Sequence, residues 1–424
     1  MDGYRRRIID TELDELLPGL AAVAIEGAKG VGKTATAQRR ADIVYALDDN
    51  EQWQLLSADP GLVARGDGAV LIDEWQRLPA VWDTVRRSVD RDPRPGRFIL
   101  AGSALPTDTP MHSGAGRIVQ VRMWPMSLAE RGICETTVSL HDLLSGNKSP
   151  IEGESRVDLP VYVEEIVGSG FPGIRPLPER ARRAQLDGYI ARIVERDFPE
   201  QGHQVRRPAT LRAWLTAYAA ATGTTAAYSA ILDAATAGET EKPAKTTTIA
   251  YRDVLSQLWL LDPVPGWLPV DNAFSRLAQA PKHYLVDPAL SARLLDLTSQ
   301  SLLSGAGSSV KVSYSTNLLG QLFEALMALS LRIYAQANEA RLHHLRTRSG
   351  DHEVDFIVTG PGGRIVALET KLAATVDEKD VKHLRWLGSK LGDQLADAVL
   401  ITTGTYAYRR SDGIAVVPAA LLGP

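Results

Sequence analysis

The chain has 424 residues, 44% of them apolar and 23% charged, with a formal net charge of −4 and one cysteine, Cys134. That length asks for two to four domains rather than one core, and the acidic balance excludes nucleic-acid binding by overall charge, leaving only local patches. A lone cysteine excludes an internal disulfide and cannot by itself make a zinc site; no apolar run reaches the ~20 residues that span a bilayer and no charged-then-apolar leader opens the chain, so a cytoplasmic protein without a membrane partner is expected.

Up to about residue 135, short apolar runs alternate with helix-like segments. Strands are expected at Ala21–Ile25, Ile43–Leu47, Ala69–Ile72, Phe98–Ala101 and Ile118–Val121, which reads as βαβ units around a buried parallel sheet. The first strand runs into Gly27-Ala28-Lys29-Gly30-Val31-Gly32-Lys33-Thr34, filling every required place of the phosphate-loop pattern G-x-x-x-x-G-K-[ST]. Small residues let the backbone curl so that successive N–H groups face a phosphate, and the helix-favouring run Thr34–Ala41 aims its positive dipole end there. Lys33 is expected on the β- and γ-phosphates and Thr34 on Mg²⁺. The expected ligands are therefore ATP and Mg²⁺.

The strand Ala69–Ile72 ends in Asp73-Glu74. Asp73 is the candidate magnesium ligand and Glu74 the candidate general base for the attacking water; two acids at a strand end also serve as plain turn residues. The next strand ends at Ser103, read either as a sensor of the γ-phosphate or as a capping serine. Arg117, on the glycine-containing stretch Gly114–Arg117, is either an arginine finger, acting in its own subunit or in a homo-oligomeric neighbour, or a surface cation.

These residues resemble a known family. Gly27–Thr34, the run Leu-Ile-Asp-Glu-Trp-Gln-Arg-Leu-Pro at 71–79, Leu-Ala-Gly-Ser at 100–103, Gly-Arg at 116–117 and Trp-Pro-Met-Ser-Leu-Ala-Glu at 124–130 recur, in this order, in the bacterial and archaeal AAA-type ATPases with a C-terminal domain of unknown function. The likeness continues through Gly168–Pro172, Glu195-Arg-Asp197 and Pro281-Lys-His-Tyr-Leu-Val-Asp287. It implies an ATPase core followed by a winged-helix module and a restriction-endonuclease-like fold.

Beyond a Gly/Ser/Asn/Pro linker at Ser145–Gly153 and a charged helix at Glu179–Arg196, the chain becomes helical and Ala-rich: Arg212–Ala221, Ala226–Ala237 and Thr246–Leu261, the last two separated by a polar loop at Gly238–Lys245. The three helices look like a winged-helix unit with Val264–Val270 and Lys282–Val286 as the wing. The third helix would bury Ile249, Leu255, Leu258 and Trp259 and present Thr247, Tyr251 and Arg252, with Lys245 and Thr248 near its start, to bases. A protein–protein spacer is the other reading, because the stretch has few basic residues for phosphate contacts.

After a Gly/Ser stretch at Ser304–Ser309, a helix at Leu318–Ala335 carries Glu324, and two strands follow around a Gly-rich turn at Gly360–Arg364: His352–Val358, with Asp355, and Ile365–Lys371, with Glu369 and Lys371. The hairpin would set Asp355 beside Glu369, and alternation puts Glu369 and Lys371 on one face. Glu324, Asp355 and Glu369 are candidate ligands of a second Mg²⁺, and Lys371 would orient or deprotonate a water for phosphodiester hydrolysis. The order D…ExK with an upstream helical Glu resembles the PD-(D/E)xK nucleases; an ion-paired, inactive relic of that fold is the alternative. Arg341, Arg346, Arg348, Lys379, Lys382 and Arg385 are expected to track a phosphate backbone. His343, His344 and His352 read as exposed loop histidines.

The expected fold is thus α/β: a P-loop AAA-type ATPase core over 1–144, a helical lid or connector over 154–200, a winged-helix middle over 201–303 and a PD-(D/E)xK-like α/β domain over 310–424. The expected function is ATP binding and hydrolysis controlling a C-terminal half that acts on DNA, or else a nucleotide-dependent switch whose nuclease-like domain does not cut.

Overall fold

The computed structural model describes residues 3–103, 114–202, 207–237, 245–267, 280–304, 315–347 and 350–424. Five strands, β1 (Ala22–Glu26), β2 (Ile43–Ala46), β3 (Val70–Asp73), β4 (Phe98–Gly102) and β5 (Val119–Arg122), form a sheet in the order β2-β3-β4-β1-β5 in which every pairing is parallel. All five expected strands are realised within about two residues. The central strands β1, β3 and β4 are buried at every position, as their unbroken apolar runs require when both faces are covered. Parallel order brings the C-terminal ends of β1, β3 and β4 to one edge, where the ligands of such sheets gather.

The expected linker at 145–153 carries no helix or strand between Ser145, which ends the Leu140–Ser145 helix, and Gly153, which begins a strand. Strand β6 (Val138–Ser139) pairs with the last strand of the chain, and β7 (Gly153–Glu154) is an edge of the second sheet. Between them the Leu140–Ser145 helix buries Leu140, Leu143 and Leu144 in the main core. The segment that leaves the first sheet is therefore woven into the C-terminal fold. Of the Gly/Ser stretch at Ser304–Ser309, residues 305–309 lie outside the described residues.

The middle of the chain has helices at Pro208–Ala220, Tyr228–Ala235 and Lys245–Gln257, close to the expected three. Isolated antiparallel bridges follow (Leu261 with Leu285, Val264 with Lys282), in the region where the two wing strands were expected. Residues 268–279 and 238–244 lie outside the described residues.

The second sheet has seven strands in the order β7-β12-β13-β11-β10-β9-β8, with β8 at Arg341–Arg346, β9 at Glu353–Thr359, β10 at Ile365–Thr370, β11 at Leu395–Thr402, β12 at Tyr406–Arg409 and β13 at Ala415–Pro418; β14 (Leu422–Gly423) ends the chain. β8, β9 and β10 are an antiparallel meander, and β11 lies parallel to β10 after the Lys382–Leu391 helix. The Ser315–Ala337 helix packs on this sheet with Leu322, Phe323, Leu326, Met327, Leu331 and Tyr334 fully or almost fully buried. A helix apolar on nearly all sides belongs inside a core, and each such side chain contributes about 1.5–3 kcal/mol. Its stretch Leu318–Ala337 is long and apolar enough to cross a membrane by length and composition, contrary to the expectation that no such run exists; 78% of that window is buried within the protein. It is also bonded to the chain leaving the first sheet: Ser330 Oγ accepts the Leu128 N–H at 3.0 Å, and Tyr334 accepts that of Ala129 at 3.1 Å.

Candidate functional site

The turn between β1 and the Lys33–Gln38 helix is shaped by contacts that only particular residues allow. Gly27 has φ +149°, and a Cβ there would sit 2.1 Å from the Met123 carbonyl oxygen, so glycine alone lets the loop begin against the chain beyond β5. Gly32 closes the turn in the left-handed region, φ 107°, at the helix N-cap. The buried Arg7 guanidinium donates to the Val31 carbonyl at 2.8 Å and to Glu130 at 2.9 Å, clamping the loop from the side. Lys33 is 6% exposed, its ammonium donating to the Gly27 and Ala28 carbonyls at 2.8 and 2.9 Å. Burial lowers its pKa to about 8 against the pull of Glu74 and Asp73, a cost that an anionic phosphate would relieve.

Thr34 donates its hydroxyl to Asp73 at 2.9 and 3.1 Å, joining the helix start to the end of β3. Burial, with help from Glu74, raises the Asp73 pKa although Thr34 opposes it. A hydroxyl and a carboxylate meeting beside a phosphate loop are the hard oxygen donors that suit Mg²⁺. Glu74 lies next in the chain with φ +52°, a left-handed conformation that costs a non-glycine residue about 1–3 kcal/mol and clusters at functional sites. This turn aims its carboxylate at Gln76, whose amide donates at 2.5 Å, and at Ser103, whose hydroxyl donates at 3.3 Å. Glu74 and Ser103 are thus brought together at the sheet edge.

Lys29, Gly30, Gly32, Lys33, Thr34, Glu74 and Ser103 line a cleft of about 950 Å³. Its far wall comes from the turn Ile193–Asp197, a π-helical segment of the sort often found at functional sites. Asp197 from this turn pairs with Lys29 at 2.6 Å, and Arg192 and Arg196 also face the cleft. A second cavity of about 740 Å³ adjoins it, sharing Gly32, Ala35 and Pro172 and walled by Tyr4, Thr36, Arg39 and Met123. Arg117 lines neither cavity; its guanidinium is held by Asp90 at 2.8 Å. The structure brings the sequence-predicted loop, Asp73, Glu74 and Ser103 to one sheet edge, facing Arg192, which sequence reasoning did not single out. Arg196 and Asp197 carried a signal only through the Glu195-Arg-Asp run.

The C-terminal carboxylates also converge, with a member not foreseen. In the β9–β10 pairing Leu368 lies opposite Phe356, so the next step of the register sets Asp355 against Glu369. Asp355 accepts the Thr370 backbone N–H at 2.9 Å and its hydroxyl at 2.8 Å. Glu369 is buried, its Oε2 without a hydrogen-bond partner, and burial and Asp355 push its pKa well above the usual carboxylate range. Lys371 is 3.6 Å from Glu369. The surprise is Lys282, from the middle hairpin. Its ammonium is 2.9 Å from Glu324, 3.0 Å from Glu353 and 3.0 Å from Asp355. Among the described residues no group of three or more His, Cys, Asp or Glu side chains is disposed to hold a metal ion. The second Mg²⁺ expected among Glu324, Asp355 and Glu369 is therefore not supported by the present arrangement, in which an ammonium stands among the acids.

The expected nucleic-acid contacts fare unevenly. In the Lys245–Gln257 helix Tyr251 is buried against Phe198 and Trp214, while Ile249 is 42% exposed; the inward and outward assignments of these two residues are exchanged. Arg252 is bonded to Asp253 at 2.9 Å. Lys379 pairs with Asp377, Arg385 with Glu378 and Asp412, and Arg346 lies 3.8 Å from Glu353, so each has an acidic neighbour at the surface. The Lys245 side chain and Arg348 lie outside the described residues. His344 is buried rather than a loop residue, in β8.

A parallel sheet delivering a glycine-rich loop, a paired Thr34 and Asp73 and an adjacent Glu74 to one edge corresponds to a known type of nucleotide-binding domain. Residues 21–131 match the AAA domain. This AAA domain is followed by matches over residues 160–301 and 319–422 to two families, each described as a domain of unknown function (DUF8612 and DUF4143). An uncharacterized protein of Mycobacterium bovis and one of Mycobacterium tuberculosis are each 26% identical over 423 residues, covering 98% of this chain and 83% of the relative. The AAA match supports nucleotide binding; the relatives' names add no activity.

Proposed function

We propose that the protein is a cytoplasmic Mg²⁺-dependent ATPase whose nucleotide state governs its C-terminal half. The observation that carries this reading is the Thr34–Asp73 hydrogen bond of 2.9 Å set beside the Lys33 ammonium at the mouth of the glycine loop. Loop N–H groups and Lys33 would bind the β- and γ-phosphates; the nucleoside would enter the adjoining cavity between Tyr4, Arg39 and Met123. Thr34 and Asp73 would hold Mg²⁺, which supplies positive charge to the phosphate oxygens when bound. Glu74 would take the proton of a water as its oxygen attacks the γ-phosphorus and the bond to the ADP oxygen breaks. Ser103 and Gln76 orient that carboxylate. Arg192 and Arg196 line the cleft, each also paired with an acid (Asp197 at 3.5 Å, Glu200 at 2.8 Å), and would meet charge on the γ-phosphate from the same chain; Arg117 would act only across a homo-oligomeric contact.

For the C-terminal half, helix 315–337, the β8–β10 meander, the 382–391 helix and β11 follow one another in the order of a PD-(D/E)xK-like domain, and the middle helices with their hairpin suit a winged-helix unit, which supports DNA as the partner. The second reading, a regulatory switch that does not cut, is favoured by Lys282 standing among Glu324, Glu353 and Asp355 and by the pairing of the surface arginines. The experiment is ATP turnover and DNA degradation measured together for wild type, Lys33→Ala and Asp355→Ala. Turnover lost in Lys33→Ala supports the ATPase reading, and turnover equal to wild type overturns it; Asp355-dependent cutting selects the nuclease, and no cutting selects the switch.

A further inference from the structure

The glycine loop carries two lysines, and they are held differently. Lys33 is bonded to carbonyls of its own loop. Lys29, which lines the same cleft, gives its ammonium to a carboxylate from another part of the chain, Asp197 at 2.6 Å. The Lys29 side chain is 33% exposed and that of Asp197 5%, so the pair has one end in the cleft and the other in the protein. Beside it the Tyr189 hydroxyl donates to the Lys29 carbonyl at 3.1 Å, which holds the loop backbone against the Glu179–Arg192 helix while the Lys29 side chain is free to turn.

Asp197 closes the π-helical turn Ile193–Asp197. The next residue, Phe198, is buried and meets the Tyr251 ring edge-on at 5.8 Å, and Tyr251 meets Trp214 at 6.2 Å. Tyr251 and Trp214 stand on the Lys245–Gln257 and Pro208–Ala220 helices. One residue therefore separates a side chain bonded to the glycine loop from one packed on two middle helices. Arg192 lies 3.5 Å from the same Asp197 oxygen, so Lys29 can leave without stranding a buried carboxylate, the outcome that makes most buried pairs costly to break.

We propose that the Lys29–Asp197 pair is a latch that reports the γ-phosphate to the middle helices. A γ-phosphate in the cleft carries more negative charge than one carboxylate and draws Lys29 off Asp197, which loosens the 193–198 turn; ADP lacks that group and leaves the latch closed. This rests on the ATPase reading and adds the contact through which nucleotide state reaches the rest of the chain. Linkage is reciprocal: if the γ-phosphate opens the latch, opening the latch by mutation must tighten binding of the γ-phosphate.

The test is calorimetric titration of the full-length protein with Mg-ADP and with the magnesium complex of the β,γ-imido analogue of ATP, which is not hydrolysed. Asp197→Asn is expected to bind the analogue at least fivefold more tightly than wild type, with ADP affinity within about twofold. In a Lys29→Met background the same change should give no gain. Equal or weaker analogue binding by Asp197→Asn, an equal gain for ADP, or a gain that survives Lys29→Met overturns the latch and leaves the ATPase reading standing. Wild type that binds neither nucleotide overturns both. Should Asp197→Asn not fold, Lys29→Met opens the pair from its exposed end. Faster amide hydrogen exchange over 193–200 in that nucleotide-free variant than in wild type then supports the latch, and equal exchange overturns it.

Discussion

Arg122 and Asp262 form a buried ion pair, 2.9 Å from guanidinium to carboxylate, that joins the end of β5 to the arm leading into the Lys282 hairpin. Asp262 also takes Arg332 from the long C-terminal helix at 3.1 Å and the Trp124 indole N–H at 2.9 Å. Burial alone would raise its pKa, but the two arginines outweigh it and hold the carboxylate below its ordinary value. Strand β5 lies beside β1, which runs into the phosphate loop, so one carboxylate meets the nucleotide sheet, the hairpin and the C-terminal core. Removing one partner of a buried charge group leaves the others uncompensated. Asp262→Ala is therefore expected to cost about 3–5 kcal/mol, read as a lowered urea midpoint; a loss under about 0.5 kcal/mol, the size of an ordinary surface change, would show that the hub carries no load.

At the sheet edge, binding and chemistry should separate. Glu74→Gln keeps the side-chain shape and its Gln76 and Ser103 neighbours but removes the base. Nucleotide affinity is expected to stay within about threefold while turnover falls about 10²–10⁴-fold, the range for a general base. Asp73→Asn should instead weaken the Mg²⁺ dependence of nucleotide binding. Turnover of Glu74→Gln at the wild-type rate would assign water activation to another residue.

Gly27→Ala is expected to disable the loop without touching a charged group. Its Cβ would meet the Met123 carbonyl at 2.1 Å, closer than any packing tolerates, so either the loop or the chain beyond β5 must move. Nucleotide binding should fall at least tenfold, with a lower melting temperature; normal binding and melting would contradict the described contact.

His344 gives a pH signature. Burial, with Lys282 nearby, pushes its pKa down to about 4, against an unfolded value near 6.5. The unfolded chain takes the proton first, so stability contributed by the neutral ring is complete above about pH 6.5 and is lost as pH falls toward 4, by up to about 3 kcal/mol. His283, also lowered by burial, acts in the same direction. His344→Gln should flatten the loss between pH 6.5 and 4 in urea titrations without abolishing it, and an unchanged slope would assign the effect elsewhere.

The first sheet and its loop were legible because their signals are local: unbroken apolar runs, a glycine pattern and acids at a strand end. The Asp355–Glu369 pairing was legible from alternation and a short turn. Lys282 was not, because it meets Glu324 and Asp355 across 42 and 73 residues, and no periodicity reports such a contact. The pairing of Gly153, at the end of the expected linker, with Ala407 was not legible because the two lie far apart in the chain. Tyr251 and Ile249 exchanged faces because their helix packs against Phe198 and Trp214, residues outside its own periodicity.

The most direct measurement is isothermal titration of the nucleotide-free protein with Mg-ATP, for wild type and Lys33→Ala. The account predicts one saturable site in wild type and an affinity at least tenfold weaker in the variant, with both proteins folded by circular dichroism. No heat with folded wild type, or equal binding by the two proteins, would contradict it.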